Sequence, residues 1–289
     1  AWHRSIRVMS RRHASLPPGA AAGGAVLLAL CAVALFAPWL APYDPLAQRL
    51  ELRLQPPSLA HPLGLDELGR DILSRLLFGA RTSLLVGLTV VAFAGSIGTA
   101  IGAVAGFAGG RTDALLMRAT DVFLAFPGIL LAIAFVAVLG PALSHVVLAL
   151  VLIGWVGYAR LVRAQVRQWK ERDFVMAARA AGLPRRRIVL RHLLPNVLPE
   201  LSVQATLGLA GAILAEAGLS FLGLGIEPPA PSWGSMINAG RSHLLDAPHL
   251  SLFPGLAILI AVVGLHLLGD GVLDLLDPRR PRGGGHPSP

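Results

Sequence analysis

Ionisable side chains interrupt several segments of this sequence that are otherwise apolar. His266, Asp270 and Asp274 recur at four-residue intervals, so they would lie on one face of a helix. A proton relay through a membrane protein needs such a row. Because the row lies toward one end of its apolar segment, we favour hydrogen bonding to water or to a neighbouring helix. We expect His266 to be a packed, hydrogen-bonded histidine, and we predict no metal site.

Other charged residues lie within or beside apolar segments, and we consider Arg81, Asp121 and Glu216 as candidates for lining a pathway across a membrane. A charge in hydrocarbon is costly, so such residues usually face a bundle interior or a polar path. Arg118 precedes Asp121 by three residues, and the two side chains are expected to pair on one helix face. An ion-coupled secondary transporter, which would use these groups, is the alternative function.

Common catalytic signatures are missing from the chain. The glycine-rich stretch SFLGLGIEPPAPSWG, Ser220 to Gly234, lacks the G-x-x-x-x-G-K-[ST] pattern and runs into prolines. Neither H-E-x-x-H nor G-x-S-x-G occurs, and Ser220 has no obvious base for a membrane-embedded hydrolase. The single cysteine, Cys31, excludes an intrachain disulfide and is expected to be a small buried hydrophobe. We predict a protein that is not an enzyme and binds no cofactor itself.

Composition identifies the class of protein that must hold these residues. The 289 residues are 54% hydrophobic and only 14% charged, whereas soluble domains carry about 25% charged residues. An integral membrane protein is therefore predicted. The net charge of +9 does not indicate nucleic-acid binding, because the basic residues cluster at the ends of apolar runs.

Six apolar runs are long enough to cross a bilayer, which requires about 20 residues each. They indicate an all-α, polytopic fold with spans at 21–40, 83–107, 115–139, 143–163, 199–219 and 252–275. Arginines precede the first run, as in a signal peptide, but the run is long and is followed by the proline-rich APWLAPYDP rather than a cleavage site. We expect it to remain as a span.

Arginine placement predicts the orientation of these spans. The 42–82 loop balances five arginines against five carboxylates. The segment between the fourth and fifth spans is instead strongly basic, opposed only by Glu171 and Asp173; its ten basic residues are Arg160, Arg163, Arg167, Lys170, Arg172, Arg179, Arg185, Arg186, Arg187 and Arg191. Both termini and this segment are expected in the cytoplasm. The chain would then divide into two cytoplasmic tails at 1–20 and 277–289, a first span with its extracytoplasmic loop at 21–82, and a core transmembrane domain at 83–276.

Small residues mark one helix face in the second span. Gly98, Gly102, Gly106 and Gly110 recur at four-residue intervals, which makes a smooth stripe where another helix can approach closely. We predict a helix-packing role for all four.

The basic segment contains a helix-forming block at 173–196. Asp173 is placed to cap its first helix, Gly182 permits a left-handed turn, and Pro184 suits the start of a second helix that runs until Pro195. This helix–turn–helix would lie across the cytoplasmic mouth of the bundle. Either anionic lipid headgroups or a cytoplasmic protein partner would suit its arginines.

Within this block, Ala177-Ala178, Gly182 and Leu194-Pro195 resemble the EAA loop of binding-protein-dependent ABC importer permeases. Met176 stands where that family has glutamate, and His192 stands at a hydrophobic position of its consensus. The stretches LAPYDPLAQRL, QPPSLAHPLGLDELGRDILSRLLFGARTSLLVG, DVFLAFPG, GWVGYARLVR, GLSFLGLGIEPPAPSWGSMI and LLGDGVLDLLDPR look like the dipeptide/oligopeptide/nickel subfamily, in particular the second of its two permease subunits.

The resemblance implies a bacterial inner-membrane permease that imports peptides or a similar small solute, with nickel chelates, glutathione or opines as alternatives. It implies a homologous permease as partner, two cytoplasmic ATPase subunits that use ATP and Mg, and an extracytoplasmic solute-binding protein. The block would be the coupling helix seated on an ATPase, and the residues expected to serve it are Met176, Ala177, Ala178, Gly182, Arg185, Arg186, Arg187, Leu194 and Pro195.

Overall fold

The computed structural model describes residues 17–276, and regular structure in that range is helical apart from one isolated bridge between Leu65 and Asp71. Residues 1–16 and 277–289, with most of the two predicted tails and their arginines, lie outside the described residues. The helices are α1 Pro18–Leu40, α2 Ile72–Ala108, α3 Gly110–Leu124, α4 Gly128–Leu139, α5 Leu143–Trp169, α6 Asp173–Ala180, α7 Arg185–Ile188, α8 Leu194–Phe221, α9 Trp233–Gly240 and α10 His249–Leu276.

The all-α, polytopic fold predicted from the sequence is confirmed. Five helical segments of the described chain are long and apolar enough to cross a membrane, built on α1, α2, α5, α8 and α10. The predicted third span at 115–139 is not one straight helix, because α3 and α4 meet at 77°. Pro127 explains the break: it disfavours helical backbone at Phe126 and has no N–H to continue the helix.

Two long helices extend well beyond their predicted bounds. The start of α2 precedes the expected residue 83, and Asp71 caps it by accepting a hydrogen bond from the Ser74 backbone N–H at 2.8 Å. Likewise, α7 continues into α8 through a π-helical turn at Val189–Leu193. The expected end of the second block helix at Pro195 is therefore wrong. Pro195 lies in the first turn of α8, where a missing N–H is tolerated.

The glycine stripe of α2 packs against α5. A Cβ atom at Gly106 would lie 2.8 Å from the Arg163 carbonyl oxygen, and Cβ atoms at Gly98 and Gly102 would overlap the carbonyl oxygens of Trp155 and Ala159. These glycines let the two helix backbones come into direct contact. The stripe ends there.

Gly110 does not share this packing role, because a Cβ atom there would meet nothing within 4 Å. It follows Gly109, and both have positive φ, at 67° for Gly109 and 55° for Gly110. The pair forms the turn between α2 and α3, a conformation that favours glycine.

The first helix, α1, packs against α10 through small residues that were not among the predicted packing positions. A Cβ atom at Gly23 would overlap the backbone of Leu268, and one at Gly271 would overlap the backbone of Ala20. Cys31 lies on the exposed side of α1, so the expectation that it is buried is wrong. In a membrane protein this side of a peripheral helix suits an apolar thiol, since lipid replaces the protein core as its surroundings.

Candidate functional site

The basic block forms a rigid turn at one end of the bundle, hereafter the basic end. After α6, Leu183 N–H donates to the Ala178 carbonyl oxygen at 3.1 Å, and Gly182 N–H donates to the Arg179 carbonyl oxygen at 2.9 Å. This pair of bonds is a Schellman motif, which requires left-handed backbone at its glycine, and Gly182 has φ +75°. Pro184 then precedes α7 as its N-cap.

One side of the block is buried against the bundle. Val175 and Leu193 are fully buried, and Ile188 is 1% exposed. They form a cluster with Ala103 of α2 and with residues of α5, Val162 among them. Because α6 and α7 share this cluster with α2, α5 and the start of α8, a displacement of the turn must move those helices or break the cluster.

The opposite side of α6 is exposed and mostly uncharged. Met176 is 50% exposed and Phe174 is 41% exposed, and small residues lie beside them at Ala177 and Ala180. Ala178, which the resemblance groups with Ala177, is instead 8% exposed and faces the bundle. The block thus presents a short apolar surface with little side-chain bulk, which suits contact with another protein.

Arginines flank this surface along the chain. Arg185, Arg186 and Arg187 are all exposed. The Arg179 guanidinium lies 5.4 Å from the Phe107 ring centroid, and the Arg172 guanidinium lies 5.6 Å from that of Trp169, both in cation–π range.

The predicted cap of the block is not formed as expected. Arg172 is the N-cap of α6, with no side-chain cap bond, and Asp173 lies in the first turn. There its charge favours the helix dipole without capping it.

Ion pairs join α3 to α5 at the basic end. Arg163 donates to Asp113 through Nε and a terminal nitrogen, at 2.5 and 2.7 Å. Arg160 lies 2.5 Å from Asp121, so Asp121 pairs across helices rather than with Arg118 as expected. In the sequence these two arginines served only as signals of orientation. Their partners lie about 40–50 positions away along the chain, so the three- and four-residue spacings of a helix could not reveal the pairs.

Glu216 is fully buried, so it does not line an open path in this structure. Ser220 donates a hydrogen bond to Glu216 Oε1 at 2.7 Å, and Ser83 donates to Oε2 at 3.1 Å. The carboxyl group therefore links α8 to α2. Of the other two pathway candidates, Arg81 and Asp121 are exposed, Arg81 on α2 and Asp121 on α3.

The His266 row lies on α10. His266 is exposed, and its Nδ1 lies 2.8 Å from the Val262 carbonyl oxygen, one turn earlier in the same helix. Asp270 is also exposed, and Asp274 is partly buried. This histidine bonds within its own helix, which differs from the arrangement a relay across the bundle would need.

A buried polar cluster at the end opposite the basic end went unrecognised in the sequence. Arg70 Nε lies 2.6 Å from Asp66 Oδ2 and Arg75 Nε lies 3.4 Å from it, while His61 Nδ1 lies 2.9 Å from Asp71 Oδ1. The balance of arginines and carboxylates in the 42–82 loop was the available signal. In the sequence alone, this balance served for the orientation of the spans and did not predict internal pairing.

A helical bundle with a bent third segment and a rigid basic turn at one end is the architecture of an ABC importer permease. The inward-facing MetNI methionine ABC transporter has the same fold: its chain aligns with a TM-score of 0.55 at 20% identity, over 70% of this chain and 96% of that one. Residues 98–282 match the family described as binding-protein-dependent transport system inner membrane component, and residues 17–57 match the N-terminal TM domain of oligopeptide transport permease C. The chain belongs to this permease family.

Its relatives are peptide and glutathione permeases. The probable D,D-dipeptide transport system permease protein DdpC of Escherichia coli K12 is 44% identical over 88% of this chain and 85% of its own length. The di/tripeptide transport system permease protein DppC of Pseudomonas aeruginosa is 45% identical over 90% and 88%. The glutathione transport system permease protein GsiD of E. coli O6:K15:H31 is 43% identical over 96% and 90%. These matches confirm a permease subunit of an ABC importer.

Proposed function

We propose that this permease carries di- or tripeptides and forms half of a translocation pathway with a homologous permease. The identities of 44% and 45% to dipeptide and di/tripeptide permeases, over most of each chain, carry this proposal. Glutathione is the second candidate, since its permease GsiD is almost equally similar. Glutathione is itself a tripeptide-like solute, so one pathway chemistry would serve both.

The α6–α7 turn is the proposed coupling site to an ATPase. Its exposed apolar surface at Phe174, Met176 and Ala177 would seat in a groove of the partner, and its buried side is packed on α2 and α5. Movement of the ATPase would then be transmitted to the spans, because a packed helix pair moves as a unit whereas a flexible loop would absorb the displacement. The apolar character of the surface accommodates Met176 at the usual glutamate position.

This assignment would put the basic end in the cytoplasm, in agreement with the arginine distribution. Two ATPase subunits would hydrolyse ATP with Mg below the bundle, and a solute-binding protein would deliver substrate at the opposite end. The chain itself would bind no nucleotide, metal or nucleic acid.

Cysteine cross-linking tests the docking surface. In a Cys31→Ser background, Ala177→Cys and Ala178→Cys provide a matched pair, since the first residue is exposed and the second is 8% exposed. The permease would be purified in complex with the ATPase subunits of its transporter. Cross-links to the ATPase are expected from Ala177→Cys and not from Ala178→Cys. Equal cross-linking of a distant control, Leu245→Cys at the opposite end, would contradict the assignment.

Reconstituted transport tests the substrate and the energy source. In proteoliposomes with the binding protein, di- and tripeptides should stimulate ATP hydrolysis and enter the lumen. Glutathione in place of the peptides separates the two candidate substrates. Uptake that survives an inactivated ATPase but stops with a proton uncoupler would instead establish an ion-coupled carrier.

A further inference from the structure

A cavity of about 580 Å³ lies between the end of α2 and the α6–α7 turn. Its walls are partly apolar and partly cationic, and among the described residues that line it none is acidic. The residues are Ala103, Val104, Phe107, Ala108, Arg179, Leu183, Arg185, Arg186, Ile188 and Val189. Arg187, the third arginine of the run, does not line the cavity.

The cavity has unbalanced positive charge. Arg179 is engaged with the Phe107 ring, whereas the side chains of Arg185 and Arg186 make no hydrogen bond or ion pair within residues 17–276. Guanidinium groups carry forked N–H donors that match the oxygens of a phosphate group, so a phosphate would pair with both Arg185 and Arg186.

An apolar groove of about 560 Å³ continues from this cavity along α2 and the start of α8. The two spaces share Ala103, Val104 and Val189 in their walls, so they lie next to each other. The groove is lined almost wholly by aliphatic and small side chains.

We propose that the cavity and the neighbouring groove together bind an anionic phospholipid. The headgroup phosphate lies between Arg185 and Arg186, and one acyl chain follows the groove. Basic pockets between helices at the cytoplasmic membrane surface bind anionic headgroups in this manner. The groove decides for a lipid over a soluble anion, since a soluble anion would leave that apolar space to water.

The proposal rests on the membrane orientation in the proposed function, not on the ATPase contact. Its physical consequence is that the lipid bridges α2 to the coupling turn. The two anionic sources, lipid and free phosphate, are separated by experiment. The purified transporter would be studied by native mass spectrometry with phosphatidylglycerol, phosphatidylcholine or inorganic phosphate added.

Phosphatidylglycerol should bind the wild type more tightly than phosphatidylcholine, and inorganic phosphate should not compete at equal concentration. Replacing both arginines (R185Q/R186Q) should weaken phosphatidylglycerol binding about thirty-fold, the effect expected for two membrane-proximal basic residues, while R187Q should retain most of it. Val104→Phe, which keeps both arginines but fills the groove, should also weaken binding. This variant keeps the proposal testable if the double variant does not fold.

An equal loss in R187Q and in the double variant would overturn the proposal, because it would indicate diffuse surface charge. Undiminished binding in Val104→Phe, or equal competition by inorganic phosphate, would also overturn it. Peptide-stimulated ATP hydrolysis by the wild type tests the proposed function separately, so failure of one is distinguishable from failure of the other.

Discussion

Replacing Gly182 tests whether the backbone of the turn transmits coupling. Gly182 has φ +75°, and a Cβ atom there would meet nothing within 4 Å. A substitution therefore adds no clash, and its effect comes from the backbone conformation alone. Left-handed backbone costs an ordinary residue roughly 1–2 kcal/mol, and more when the side chain is β-branched. Gly182→Val should lower the ratio of the native turn to its alternative conformations about 5- to 30-fold.

The cost falls on the turn rather than on the whole bundle, because Gly182 is exposed and the buried cluster beneath it is unchanged. We expect Gly182→Val to leave the melting temperature of the purified protein nearly unchanged. Peptide uptake per ATP hydrolysed, measured in proteoliposomes, should fall several-fold. Asparagine tolerates left-handed backbone, so Gly182→Asn should stay close to the wild type, with Gly182→Ala between Asn and Val.

The test depends on the order of the Asn, Ala and Val variants of Gly182 in peptide uptake per ATP hydrolysed. Wild-type uptake and wild-type stimulation of ATP hydrolysis in Gly182→Val would refute a conformational requirement at the turn. If Gly182→Asn were as damaging as Gly182→Val, the cause would be side-chain bulk at the docking surface instead. A large drop in melting temperature would place the effect on folding and also contradict the reasoning.

Substitutions at three further positions, each with a control, test the packing and the polar contacts by thermal unfolding of the purified protein. Gly102→Val should destabilise the protein by about 1–3 kcal/mol through overpacking against α5. In the control Gly211→Ala, a Cβ atom meets nothing within 4 Å, so the change should be neutral or stabilising by up to about 1 kcal/mol. Equal effects of the two would contradict the close contact of Gly102 with α5. Asp113→Asn should cost roughly 1.5–3 kcal/mol and much less in an Arg163→Ala background; additive losses would show no coupling. Glu216→Ala should cost about 1–3 kcal/mol because two buried serine hydroxyls lose their acceptor, whereas Glu216→Gln should retain most stability; equal losses would contradict the link.

Local features of the chain were largely predictable from the sequence. Apolar length located the spans, and the left-handed turn at Gly182 followed from a glycine after a run of helix formers. The stripe at Gly98, Gly102 and Gly106 indicated close packing, although not against which helix. These features depend on backbone and hydrophobic properties that act within a few residues of each other.

Features that depend on distant residues were not predictable in this way. The partner of Asp121 is Arg160 rather than its helical neighbour Arg118, and Glu216 is buried with hydroxyl partners instead of facing a path. In both cases the packing of a second helix determines the contacts of the side chain.

The sequence by itself determined a helical, multi-span membrane protein with a basic turn, because span length, charge distribution and turn chemistry depend on consecutive residues. The permease family was indicated by the resemblance of its motifs. Only the tertiary structure decided which charges are paired, which faces of the turn are exposed, and that two of the arginines at 185–187 border a cavity next to an apolar groove. Those properties arise from the juxtaposition of α2, α5 and α8. No spacing along one helix encodes that juxtaposition.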